Sequence, residues 1–303
     1  MIVVKIKGGL GNQMFEYAMA RKMQLELGID QLGLDTSSIR MDSLRNLGLN
    51  HFQLCKEAVF LDNDSESIIL KLQKDFARRL ISYFVAGRPE ETAERREKKL
   101  EKIFHFFGIV HKDHSSGISK DFWLKLHKSI YMNGWFQEAK EIEPIRQILL
   151  KDFIYTGKIS EKIQNMKDRI ESTNSVCVHI RRTDYVNHPR FGICTENYYY
   201  AAMKQMAKSL REPVFYIFSD DIEEVKRWKF DYNVTFDEVC SSEYESLYLM
   251  SKCKHFIISN STFSWWGQFL AQNENKMVIA PNRWCRDYNE TALYMDDWTL
   301  LEV

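Results

Sequence analysis

The sequence has no net charge, no CxxC cysteine pair and no apolar run near the length of a membrane span. Its 303 residues hold 42 Lys+Arg against 42 Asp+Glu, and neither side of residue 150 carries a polybasic excess. A general nucleic-acid binder is therefore disfavoured. The cysteines Cys55, Cys177, Cys194, Cys240, Cys253 and Cys285 are scattered, which argues against a zinc ribbon or thioredoxin-type site. Isolated thiols in a chain of this size read as reduced core residues. No apolar run approaches the roughly 20 residues of a membrane-spanning helix, and residues 2–6 read as a strand rather than a signal sequence. A soluble, cytoplasmic chain with no integral membrane segment is expected. The sequons at Asn233, Asn260 and Asn289 then carry no weight. Also missing are HExxH, GxSxG and Walker motifs, internal repeats and low-complexity linkers.

What is present is enough apolar sequence for a packed core: 45% hydrophobic and 28% charged residues. Aromatics reach 13%, which fits either large core residues or sugar and base stacking. The chain opens strand, glycine loop, helix: residues 2–6, then 8–13, then 14–27 with Phe15, Ala18, Met19, Met23 and Leu27 at helical spacing. Residues 32–34 read as a second strand ending at Asp35. Residues 64–107 are helical in pattern, with Ile69, Leu72, Phe76 and Leu80 on one face and Pro89 interrupting. From residue 90 to 102, acid and base alternate. A solvated helix explains that pattern; a basic face against anionic lipid is the alternative. A second βα alternation follows. Strands are expected at 176–180, 214–218, 256–258 and 277–279, with helices at 196–210, from 221, 244–251 and 263–272. The whole predicts an α/β protein of two Rossmann-like domains, residues 1–150 and 151–303, the first with a helical insertion.

Four segments carry polar groups where strands end, which is where open α/β sheets collect ligands. The glycine turn 8–13 offers close backbone approach through Gly9 and Gly11, with Asn12 and Gln13 as amide donors. It lacks the third glycine of a dinucleotide fingerprint, although Asp35 lies near the position of a ribose-binding acid. A purely structural turn is the plainer reading. The segment 179–185 sets His179, Arg181 and Asp184 directly after a buried strand. Arginine suits a diphosphate through its planar fork of donors; an Arg–Asp ion pair with a structural histidine is the alternative. Ser219, Asp220 and Asp221 end another strand, where helix capping accounts for one acid, and an acid can also accept from a guanine edge. Segment 258–267 is a strand, a turn rich in hydroxyls (Ser259, Asn260, Ser261, Thr262, then Phe263 and Ser264) and a helix start. A helix N-terminus with hydroxyls is an anion site. Trp265 and Trp266 read as core. Asp62-Asn63-Asp64 is formally a DxD metal pattern, read as a solvated turn, so no metal site is expected.

With these motifs together the chain resembles glycosyltransferase family 11, the alpha-1,2-fucosyltransferases, and its bacterial members in particular. The matching pieces are residues 8–15, 179–185, 192–194, 218–221 and 259–267; residues 55–125 match nothing. Thr183 stands where the family usually has glycine, which puts the backbone of the Asp184 loop in question. The resemblance implies a GT-B-like fold of two Rossmann-like domains facing a cleft. The first would be on the acceptor side and the second would bind GDP-fucose. It implies an inverting transfer of L-fucose to O2 of a terminal galactose on an oligosaccharide, with GDP-fucose as co-substrate and no cofactor or metal. By resemblance, Arg181 would neutralise the β-phosphate, while Ser261, Thr262, Phe263 and Ser264 hold the diphosphate. His179, Ser219 and Asp220 would lie on the guanosine side, and Asn12 would reach the phosphate or reacting centre from the first domain. Asp184 is the first candidate base; Glu16, Asp35 and Glu196 are others, and the leaving phosphate itself can take the proton. Location is expected in the cytoplasm or peripherally at the inner face of a membrane. Other acceptors or linkages, an NAD(P)-dependent enzyme and a carbohydrate-binding protein are the competing readings.

Overall fold

The structure, a computed structural model, describes residues 1–42, 45–61, 67–114, 117–119, 122–286 and 292–303. The Asp62-Asn63-Asp64 motif and the Asn289 sequon lie outside them. The chain divides into two compact units, Met1–Ile154 and Tyr155–Val303.

In the first unit five parallel strands stand in the order β3-β2-β1-β5-β4. They are β1 Ile2–Lys5, β2 Leu32–Asp35, β3 Ala58–Leu61, β4 Ile109–Lys112 and β5 Ile130–Gly134. A parallel sheet covered on both faces asks for near-continuous apolar runs, and Ile2, Val3 and Val4 are fully buried. The first helix spans Leu10–Leu27 and begins four residues earlier than the apolar spacing predicts. The turn is confined to Gly8 and Gly9. Gly8 takes φ +72, and a Cβ there would lie 2.8 Å from Asn12 Nδ2, so the left-handed position belongs to Gly8 rather than to Gly9 or Gly11. The Gly9 carbonyl accepts from Asn12 N at 2.9 Å and Gln13 N at 3.1 Å and starts the helix there, although Gly11, Asn12 and Gln13 carry no apolar signal.

The helical insertion is two helices, Ile68–Phe84 and Glu90–Phe106. Pro89 N-caps the second, and the Ser67 hydroxyl caps the first by accepting from Leu70 N. The buried face of the first is the expected one only in part: Phe76 and Leu80 pack against the core. Leu70, Gln73 and Ala77 pack inward, while Ile69 and Leu72 face solvent. Gln73 is the reason: its Nε2 donates to the carbonyls of Phe107, Gly108 and Ser129, each at 3.1 Å. That amide anchors the inner face, and a search for apolar periodicity passes over it.

In the second unit six parallel strands stand in the order β11-β10-β9-β6-β7-β8. They are β6 Asn174–Ile180, β7 Pro213–Ser219, β8 Val234–Phe236, β9 His255–Ile257, β10 Val278–Pro281 and β11 Thr299–Leu301. Counted from β6, this is the 3-2-1-4-5-6 order of a doubly wound Rossmann sheet. The short edge strands β8 and β11 were absent from the sequence reading. On one face Val176, Val178 and Ile180 pack with Tyr198, Tyr199, Met203 and Met206 of helix Glu196–Ser209. Strand alternation turns Cys177 and His179 to the opposite face. Trp265 and Trp266, in helix Thr262–Leu270, are wholly buried core residues. All six cysteines are free.

Candidate active site at the carboxyl ends of β6, β7 and β9

A doubly wound sheet opens a crevice where its strand order reverses. In the second unit that point lies between β6 and β9. The residues leaving β6 are Arg181 to Asp184; those leaving β9 are Ser259 to Ser261.

His179 ties the two segments together. It is buried, and its Nδ1 lies 2.5 Å from Ser264 Oγ and 3.2 Å from Ser259 Oγ, while the two hydroxyls lie 2.9 Å apart. Burial lowers the His179 pKa to about 4, with Asp220 opposing and Arg181 adding to the shift. The ring is neutral at pH 7. His179 Nδ1 and Ser264 Oγ, both expected on the donor, are engaged with each other inside the protein, and this bond ties the β6 end to the start of helix Thr262–Leu270.

Ser261 is the N-cap of that helix, yet its side chain makes no capping bond. The first-turn amides point out of the helix with the positive end of its dipole. Tyr198 Oη donates to Ile258 O at 2.6 Å and fixes the approach from β9. Asn260, 1% exposed, spans three segments: its Nδ2 donates to Phe191 O at 3.0 Å and Trp284 O at 2.8 Å, and its Oδ1 accepts from Cys194 Sγ at 3.4 Å. Burial pushes the Cys194 thiol up to about 12, so it serves as a neutral donor. The sequence reading left Asn260 outside the candidate site residues; its signal is an amide among hydroxyls immediately after a strand.

Arg181 is held on two sides. Nη2 meets Asp184 Oδ1 at 2.7 Å and Nη1 meets Asp220 Oδ2 at 2.9 Å. The guanidinium also lies 5.3 Å from the Tyr185 ring centroid. Asp220, expected on the guanosine side, further accepts from Arg182 N at 2.8 Å and Thr183 Oγ1 at 2.5 Å and so holds the loop that follows β6. Thr183 does not adopt a left-handed backbone; among the described residues the non-glycine positions that do are Leu54, Phe136 and Glu212. The loop therefore accepts threonine in place of glycine, and the hydroxyl adds a bond. Ser219 Oγ accepts from Asp221 N at 3.1 Å, and Asp221 caps helix Ile222–Val225. Beside the arginines opens a cavity of about 230 Å³, bounded by Arg181, Arg182, Tyr185, Phe191, Trp228 and Asn260 among others. Glu196 is exposed and accepts from Tyr200 Oη at 3.1 Å.

In the first unit the order reverses between β1 and β5. Asn12 sits in the first turn of helix Leu10–Leu27 and accepts from Gln137 Nε2 at 3.1 Å. Gln13, expected as a second ligand donor, is a structural clamp. Its Nε2 donates to Gly8 O and Asn46 O, and its Oε1 accepts from Gly48 N. Asp35 is buried and paired with Lys74 at 2.6 Å. Burial raises its pKa, but the bonds from Lys74 and Ser37 outweigh that and lower it overall. An acid so engaged is occupied within the fold. Glu16 is fully buried, and burial raises its pKa well above the ordinary value despite a bond from Lys7 N. Among the described residues no group of three or more His, Cys, Asp or Glu is placed to hold a metal ion, and no helix is long and apolar enough to cross a membrane.

Comparison with known proteins agrees with this architecture. The O-antigen biosynthesis glycosyltransferase WbnK of Escherichia coli is 29% identical, covering 97% of this chain and 98% of that protein. An alpha-1,2-colitosyltransferase of Escherichia coli is 30% identical, covering 94% and 92%. In fold the chain is similar to POFUT1 in complex with GDP-fucose, with a TM-score of 0.51 at 12% identity, covering 92% of this chain and 97% of that one. The two α/β units, each with a parallel sheet, are thus those of a GT-B-like fold. The pattern of Glycosyl transferase family 11 matches residues 1–302, and the chain belongs to that family of glycosyltransferases.

Proposed function

We propose that this chain transfers L-fucose from GDP-fucose to O2 of a terminal galactose on an oligosaccharide, with inversion and without a metal. The observation that carries the reading is the pairing, at the β6/β9 switch point, of a clamped arginine with an uncapped helix N-terminus. Breaking the sugar–phosphate bond leaves charge on the departing diphosphate. Fixed donors aimed at that charge are the largest lever on such a step. Arg181 supplies a planar cation, and the backbone around Ser261, Thr262 and Phe263 supplies the helix end. Asp184 is the candidate base for the acceptor hydroxyl, and Asn12 is the residue of the first unit proposed to act in the reaction. The family match supports glycosyl transfer, and the colitosyltransferase relative supports a 1,2 linkage.

The test is GDP release from GDP-fucose, with and without lactose, in excess EDTA. Lactose-stimulated release is expected. Release that lactose does not change would reject the galactoside acceptor, and no release at all would reject the donor or the metal independence. A second reading follows from the colitosyltransferase relative: a GDP-linked colitose in place of fucose. Competing the two donors in one reaction separates them.

A further inference from the structure

Large apolar side chains stand exposed in one region of the first unit. They form a continuous aromatic ridge. Ring centroids run from Phe76 to Phe107 at 4.4 Å, from Phe107 to Phe106 at 5.1 Å, from Phe106 to Trp123 at 4.9 Å and from Trp123 to Phe122 at 6.0 Å. Phe106 is 50% exposed and Phe122 66%, and Leu126, one turn beyond Phe122 on helix Phe122–Leu126, is exposed beside it. Contiguous apolar surface of this kind marks an interaction site.

The charge beside the ridge identifies the partner. Helix Glu90–Phe106 keeps Glu91 and Glu94 beside Arg95, Lys98 and Lys99 in its first half and turns the acids of its second half inward. Glu97 is buried and accepts from Asp113 N and His114 N, while Glu101 accepts from Ser119 N and pairs with Lys112 at 2.9 Å. Arg95, Lys99 and Lys102 are exposed. Lys99 precedes Ile103 by four residues and Lys102 precedes Phe106 by four, so cations and apolar groups share one outward face. Lys125 is exposed between Trp123 and Leu126. The chain as a whole is neutral, so this positive, aromatic face is a local feature. Aromatic and aliphatic groups flanked by lysines are the composition of a surface that settles into an anionic lipid headgroup layer. We propose that this face of the first unit docks on an anionic membrane surface, with Phe106, Trp123, Phe122 and Leu126 entering the headgroup region and Lys99, Lys102 and Lys125 meeting lipid phosphates.

Flotation of the full chain with vesicles tests this. Equimolar phosphatidylglycerol and phosphatidylcholine should capture it, pure phosphatidylcholine should not, and about 0.5 M salt should release it. Two double variants on exposed positions, Lys99→Glu with Lys102→Glu and Phe122→Ser with Leu126→Ser, should each weaken capture about tenfold or more, with GDP binding unchanged. No capture of wild type, capture indifferent to salt, or capture retained by either variant would overturn the proposal. So would self-association in solution, lost in the Phe122→Ser/Leu126→Ser variant, without vesicle binding.

Discussion

The Asp220 carboxylate sits 2.9 Å from Arg181 Nη1 and accepts, through the same Oδ2, from Thr183 Oγ1 at 2.5 Å. One acid at the end of β7 thereby fixes both the arginine and the loop that follows β6. An arginine already oriented needs no reorganisation as charge develops on a leaving diphosphate, which is the condition under which such a group acts strongly. Arg181→Ala is expected to lower kcat/KM by about 10²–10³-fold. Arg181→Lys should recover little, because a point ammonium cannot meet Asp184, Asp220 and a phosphate in one plane. Steady-state kinetics with GDP-fucose check both; near-normal turnover in the alanine variant would remove Arg181 from the phosphate.

Asp184 separates from Arg181 in a different measurement. If it takes the acceptor proton, Asp184→Asn should cut kcat by about 10²–10⁴-fold and leave GDP affinity within a few-fold. Isothermal titration with GDP beside single-turnover transfer makes the comparison. Equal loss in both would mean that Asp184 only holds Arg181, and unchanged transfer would move the proton to the leaving phosphate.

Thr183 gives a smaller, graded effect. Thr183→Val keeps the branched shape and deletes the hydroxyl that donates to Asp220. Loss of a hydrogen bond to a charged acceptor is about 1.5–3 kcal/mol, so kcat/KM should fall by at most about 10- to 150-fold if the whole loss reaches the transition state. Thr183→Gly loses the same bond and should behave alike. A glycine variant faster than wild type would show that threonine strains the loop.

The second unit's candidate-site segments were legible because each sits where a buried apolar strand ends in polar residues: 179–185 after β6, 219–221 after β7, 259–264 after β9. It did not distinguish side chains that face a ligand from those that hold the segments together. His179 and Ser264 look alike in the chain whether they meet a phosphate or each other, and Asp220 carries the same charge in either role. Strands β3, β4, β8 and β11 are edge strands of three or four residues, too short to show a period, and the interior strand β5, Ile130–Gly134, was not expected either. The start of helix Leu10–Leu27 and part of the inner face of Ile68–Phe84 were hidden by Gly11 and Gln73, whose contributions are conformational and polar rather than apolar; the end of the former at Leu27, before Gly28, was legible.

The last prediction concerns the buried histidine. Its folded pKa of about 4 lies below the ordinary 6.5. Between those values the unfolded chain binds more protons at this site than the folded one, so stability rises with pH across the window. The contribution is fully present above pH 6.5 and is lost as pH falls toward 4, about 3 kcal/mol in all. Equilibrium urea unfolding at pH 7 and pH 4.5 should therefore show a loss that His179→Asn, which does not titrate, largely lacks. The variant will be less stable at pH 7, because an amide in place of the ring disturbs the bonds to Ser259 and Ser264. The decisive quantity is the pH dependence of the difference between the two proteins. A constant difference across the window would mean that protonated His179 is tolerated in the fold. In that case the ring would have a proton to offer a donor phosphate, and its assignment as a neutral lock between β6 and helix Thr262–Leu270 would fail.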